Sequence, residues 1–148
     1  MAKLFIVVDV QVDLCAGGAL EVPDTESLIQ PLNKAIQKAV DLGMLIIFTR
    51  DWHPENHKSF KASNGQWETH CVQNTTGAQL HPDLIVPVGS YIIDKGTTPD
   101  SEGYSPYCNP LMAELVDQPD VKTVYVTGIA FEYCVRATCL DTVKLKKR

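Results

Sequence analysis

Three stretches of this 148-residue chain hold residue types capable of covalent and metal chemistry. In Thr127-Gly128-Ile129-Ala130-Phe131-Glu132-Tyr133-Cys134-Val135, a β-branched run ends in glycine and a cysteine stands where a helix should begin. Outward-pointing N–H groups at a helix N-terminus favour an anion, so such a thiol would be more acidic and more nucleophilic than a free one. The same cysteine also fits as a small buried hydrophobe at a strand–helix junction. A second stretch, Thr49-Arg50-Asp51-Trp52-His53-Pro54-Glu55-Asn56-His57, offers a carboxylate and two imidazoles in a D-x-H-x3-H spacing. His70, in Trp67-Glu68-Thr69-His70-Cys71, would complete a ligand set suited to zinc, iron or manganese. Taken singly, such histidines are also ordinary hydrogen-bonded loop residues, and His81 is read as structural.

Asp9, Lys95 and Cys134 form another candidate constellation. A thiol attacking a carbonyl needs a base to take its proton and a cation to favour its ionised form. Asp9 can relay that proton to a leaving amine, and Lys95 can keep both partners charged. A plain buried ion pair between Asp9 and Lys95 would account for those two residues equally well.

The elements that must position these groups follow from hydrophobic patterning. Near-continuous apolar runs at 4–10, 44–49, 91–94 and 121–127 read as strands covered on both faces. Helices are predicted over 25–42, where Leu28, Leu32, Ala35, Ile36, Ala39 and Val40 recur at helical spacing before Gly43, and over 109–115 and 133–147. Strand–helix alternation implies an α/β fold with an open, mostly parallel sheet, in a single domain over 1–148. In such sheets ligands bind beyond the carboxyl ends of the strands. Asp9 ends the first strand, while Asp51, Lys95 and Cys134 follow the other three. The long segment 52–89, rich in His, Asn and Pro, reads as a functional loop.

Bulk properties narrow the partners. Hydrophobic residues make up 45% and charged residues 21%, as in ordinary globular proteins, and the net charge of −5 argues against a nucleic-acid surface. The terminal run Lys144-Leu145-Lys146-Lys147-Arg148 reads as a solvated helix end. No apolar stretch is long enough to cross a membrane, and the N-terminal run meets Asp9 before any signal-type cleavage site. Five cysteines, odd in number and without CxxC spacing, suit free thiols in a reducing, cytoplasmic setting.

Asp9-Val10-Gln11 resembles the first-strand end of the isochorismatase-like hydrolases. The metal-type loop at 49–57, Trp67-Glu68-Thr69-His70-Cys71-Val72, Lys95-Gly96 and Gly128-Ile129-Ala130…Tyr133-Cys134-Val135 narrow the resemblance to their nicotinamidase/pyrazinamidase branch. The resemblance implies a three-layer α/β fold and hydrolysis of nicotinamide to nicotinate and ammonia, through a thioester on the cysteine, in NAD salvage. Carried onto this chain, it makes Asp9, Lys95 and Cys134 the catalytic triad and Asp51, His53, His57 and His70 the ligands of one divalent metal, zinc before iron or manganese. That metal would hold the pyridine nitrogen and orient the ring. Ile129-Ala130 falls at the family's cis peptide, with the amides of Ala130 and Cys134 as oxyanion hole. Leu14, Trp67, Tyr104 and Tyr133 become the walls around nicotinamide or pyrazinamide.

Departures from the family pattern are few. Leu14 replaces the usual aromatic residue, and Phe131-Glu132 replaces a small residue followed by aspartate. Family members continue past the cysteine helix into further strands and helices, so this chain is expected to lack them, leaving the 121–127 strand at an edge. Such an edge would accept a second copy, making a homo-oligomer a candidate assembly. Two other readings stay open: a cysteine amidase acting on a carbamoyl compound, and a shortened, non-catalytic chain that binds metal or pairs with full-length subunits.

Overall fold

In the computed structural model, residues 1–146 are described. Four strands, β1 (Ala2–Val8), β2 (Leu45–Asp51), β3 (Tyr91–Lys95) and β4 (Val121–Gly128), form one sheet in the order β3-β2-β1-β4. Every pairing is parallel, with Val7 opposite Phe48 and Thr127, and Asp51 opposite Lys95. The helices are α1 (Thr25–Asp41), α2 (Pro110–Val116) and α3 (Arg136–Lys146).

Alternation along the central strands divides the core in two. Val7, Ile46 and Phe48 pack with Ile29, Leu32, Ile36 and Ala39 of α1 on one face. Leu4, Ile6, Val8, Ile47 and Ile93 pack on the other with Met112, Leu115 and Val116 of α2 and with Cys134 and Val135. A strand covered on both faces has no polar side to show, which is why its sequence reads as an apolar run. The result is the expected three-layer α/β arrangement. Among the described residues, β4 borders β1 alone, and none of their helices is long and apolar enough to cross a membrane.

The element ends depart from the sequence reading where the site begins. β1 stops at Val8, not at residue 10: Asp9 still donates its N–H to the Thr49 carbonyl but turns to a positive φ of 51°, and the pairing ends there. β2 and β3 instead run on through Asp51 and Lys95, whose backbones pair in register. The third helix does not start at Tyr133. Phe131–Val135 forms a wider π-type turn, and α3 begins at Arg136. Lys147 and Arg148 lie outside the described residues. The segment 52–89 has only short 3-10 turns, Lys61–Ser63 and Thr76–Ala78. Bridges from His53 to Val72 and from Phe60 to Trp67 tie it to itself, and one from Gln11 to Leu80 holds it against the chain leaving β1.

At the carboxyl end of β4, Gly128 has φ +116°, and a Cβ there would meet the Val8 carbonyl oxygen at 2.1 Å and its nitrogen at 2.5 Å. Neither backbone atom can move without opening the central ladder. Gly128→Ala should therefore destabilise the fold by at least about 2 kcal/mol, seen as a lower urea unfolding midpoint. A midpoint equal to the parent's would show that the close β1–β4 approach is not required.

Candidate active site

Lys95 lies fully buried at the end of β3. Its ammonium donates to Asp51 Oδ1, to the Gly103 carbonyl and to Cys134 Sγ, the last at 3.3 Å. Those contacts use all three of its protons. Asp9 Oδ2 lies 2.8 Å from Lys95 Nζ, in direct ion-pair contact with the ammonium. The other oxygen, Oδ1, accepts from Thr49 Oγ1 at 2.6 Å. Asp9 thus lies buried against the ammonium, with a carboxylate oxygen within 4.8 Å of Cys134 Sγ.

Burial and charge set the protonation of this group. Burial pushes the Asp9 carboxyl above its usual range, and the nearby Lys95 charge only partly offsets it. Asp51 goes the other way. Burial opposes its charge, but Lys95, His53 and His70 outweigh that and hold it well below the ordinary value. For Lys95, burial is likewise outweighed by Asp51 and Asp9, so the ammonium stays charged. The Cys134 thiol is pushed well up by burial, against the pull of Lys95, with Asp9 and Asp51 adding to the rise. This corrects the acidic thiol expected from a helix N-terminus. Cys134 sits in the turn before α3 with its side chain buried beside two carboxylates, so desolvation governs it more than the helix field does.

Asp51 also faces the histidines. Its Oδ2 is 3.6 Å from His53 Nε2 and 3.7 Å from His70 Nε2, and the donor atoms of the three residues lie within 4.8 Å of one another. Each ring is oriented from behind: His53 Nδ1 meets the Gly96 carbonyl at 2.8 Å and His70 Nδ1 meets the Glu68 carbonyl at 2.7 Å. With Nδ1–H donating there, each Nε2 keeps a lone pair directed at the common point. One carboxylate and two so-oriented imidazoles fit a divalent metal. Gly96 is required for this packing, because a Cβ on it would meet His53 Cε1 at 2.3 Å.

His57, the remaining predicted ligand, does not converge with these. Its ring stacks on His53 with centroids 4.0 Å apart, its Nε2 donates to the Ser101 carbonyl at 3.1 Å, and its Nδ1 accepts from the Ser59 N–H at 3.3 Å. Burial, with His53 beside it, pushes its pKa down to about 4. Phe60 meets the His53, His57 and His70 rings edge-on at 5.6, 5.7 and 5.3 Å and fixes them from one side.

Two supports escaped the sequence reading. Gln11 is fully buried and holds the backbone of Asp51, donating to its carbonyl and accepting from its N–H, both at 2.8 Å, while also donating to the Ala78 carbonyl. Asp13 Oδ2 accepts from the Cys71 N–H at 2.7 Å, where Cys71 has φ 48°, and so fixes the chain beside His70. The signal was a pair of polar residues two and four positions past Asp9 in an otherwise apolar stretch.

A cavity of about 500 Å³ opens above Cys134, with Ala130, Leu14, Trp67, Tyr104 and Tyr133 in its lining. Tyr104 stacks on Tyr133 with centroids 5.8 Å apart, and the Trp67 ring meets Tyr133 edge-on at 4.9 Å. The Ile129–Ala130 peptide bond is cis. His53, His57 and His70 line the same cavity, so the thiol, the candidate metal ligands and the aromatic wall face one space.

Comparison with known proteins places this geometry. Residues 3–145 match the isochorismatase domain family. The chain is 33% identical to a nicotinamidase of Escherichia coli over 164 residues, covering 97% of this chain and 77% of that protein. It is 32% identical to a nicotinamidase/pyrazinamidase of Mycobacterium tuberculosis over 149 residues, covering 96% and 79%. Among solved structures, a pyrazinamidase of Pyrococcus horikoshii in complex with zinc superposes with a TM-score of 0.92 at 46% identity, covering 98% of this chain and 80% of that one. The chain belongs to the isochorismatase family, on its nicotinamidase/pyrazinamidase side.

Proposed function

We propose that this protein is a nicotinamidase, an amidohydrolase that converts nicotinamide to nicotinate and ammonia through an acyl group carried on Cys134. The observation that carries this reading is the buried Lys95 ammonium, which bonds at once to Cys134 and to Asp51 and pairs with Asp9, whose carboxylate lies within 4.8 Å of the thiol. It joins a nucleophile, a base and a candidate metal ligand in one aromatic-walled cavity.

Asp51, His53 and His70 would hold one divalent ion, zinc in the first instance, which supplies a Lewis-acidic point for orienting the pyridine ring. The chain's own residues perform the chemistry. Leu14, Trp67, Tyr104 and Tyr133 enclose the flat ring and place its carboxamide over Cys134. Asp9 takes the thiol proton as Sγ bonds to the carboxamide carbon. The amides of Ala130 and Cys134 receive the charge that develops on the carbonyl oxygen. Asp9 then passes its proton to the nitrogen, the C–N bond breaks and ammonia leaves. A water, deprotonated by Asp9, attacks the thioester, the C–S bond breaks, and nicotinate departs as the thiol regains its proton. Lys95 keeps its charge throughout, compensating whichever of Asp9 and Cys134 is ionised.

Purified protein supplied with zinc should release ammonia from nicotinamide, and a chelator should abolish the release. Cys134→Ala should lower turnover by at least about 10⁴-fold, as loss of a nucleophile does elsewhere. A folded, zinc-loaded sample without turnover would overturn the amidase reading, and a fully active Cys134→Ala variant would overturn its covalent route. Zinc content measured after dialysis should fall in His70→Ala and stay near the parent's in His57→Ala, whose nitrogens are engaged by Ser59 and Ser101. Equal loss in both variants would make His57 a ligand.

A further inference from the structure

Building on the amidase reading, we infer that the Tyr104 hydroxyl is a positioning group for substrate binding, holding the Trp67 indole in place as a wall of the cavity. Tyr104 Oη accepts from Trp67 Nε1 at 3.0 Å and from Gln66 Nε2 at 3.1 Å. One phenol oxygen thus takes a donor from each of two neighbouring side chains.

What these bonds govern follows from how the rest of Trp67 is held. Its backbone N–H donates to the Ser59 carbonyl at 2.9 Å, and its carbonyl accepts from the Lys61 N–H at 2.8 Å. The main chain is therefore secured without Tyr104, and the degree of freedom left is the direction of the indole. That direction decides the wall, because the indole meets Tyr133 at 90° while the Tyr104 ring lies nearly parallel to Tyr133, at 22°. Tyr133 directly precedes Cys134.

The hydroxyl also ties the wall to the charged centre. The carbonyl of Gly103, next to Tyr104 in the chain, accepts a proton of Lys95 Nζ, and the Ser101 carbonyl accepts from His57 Nε2. The short segment 101–104 thus touches the histidine loop, the buried ammonium and the aromatic wall, and Tyr104 Oη is its link to Gln66 and Trp67. Removing the hydroxyl frees the indole to turn without disturbing Asp9, Lys95 or Cys134. Ring binding weakens while the bond-making steps keep their geometry, which is the pattern of a raised KM at near-constant kcat.

The experiment is a double-variant cycle on zinc-loaded protein. Tyr104→Phe keeps the ring and removes the hydroxyl; Trp67→Phe keeps an apolar wall and removes the N–H. Tyr104→Phe should raise the KM for nicotinamide about five- to tenfold, with kcat within about twofold of the parent's. The double variant should be no worse than Trp67→Phe alone, because both changes break one interaction. Acrylamide quenching of tryptophan fluorescence should increase in Tyr104→Phe, and that increase should vanish when Trp67 is already Phe. A KM or a quenching constant at the parent's value, or KM effects that multiply in the double variant, would overturn the inference. If the parent protein itself fails to hydrolyse nicotinamide, the amidase reading falls separately, and the quenching pair decides the role of the hydroxyl without turnover.

Discussion

The ammonium of Lys95 lies wholly inside the protein between Asp9 and Asp51, and the arrangement of the site follows from how that charge is satisfied. A lone buried cation carries a desolvation penalty of several kcal/mol, recovered only with opposite charge and well-aimed acceptors around it. β3 brings Lys95 into register with Asp51 of β2, and β1 stops one residue short of Asp9 so that its carboxylate turns inward. Three parallel strand ends therefore meet at one point. Lys95 bonds to Asp51, Gly103 and Cys134 and pairs with Asp9 at 2.8 Å, so one charge holds both carboxylates and the thiol together. A purely structural ion pair has no reason to include a thiol among the partners of its cation.

Around this centre, segments without regular secondary structure are held by buried side chains. The 52–89 segment brings His53, His57 and His70 together, yet it has few ladder bonds of its own. Gln11 and Asp13, on the chain leaving β1, hold it at Asp51, where it begins, and at Cys71, near its middle. Phe60 packs against all three imidazoles. Rigidity of the histidines thus comes from side chains inserted behind them, with each useful Nε2 defined by what Nδ1 bonds.

Much of this was legible in the residues alone. Apolar runs marked all four strands, because strands covered on both faces have no polar side, and the order of Asp9, Asp51, Lys95 and Cys134 along them marked one crevice. Three things were not legible. The strand ends at Val8, Asp51 and Lys95 depend on backbone pairing across sequence separations that local patterning does not register. The π-type turn at Phe131–Val135 looks like an ordinary helix start in sequence, so the residues alone left open whether Cys134 is governed by burial or by a helix field. His57 matches a ligand by spacing, and only its partners Ser59 and Ser101, the latter 44 residues away, set it apart.

The central claim is that one buried cation holds nucleophile, base and metal-side carboxylate in working order. Its most direct test is ammonia release from nicotinamide by a Lys95→Met variant, which keeps the unbranched stem and removes the terminal ammonium. With two carboxylates left uncompensated and the thiol without its partner, turnover should fall by at least about a hundredfold. Turnover within a few-fold of the parent's would contradict the account, because Asp9, Asp51 and Cys134 would then be organised without Lys95.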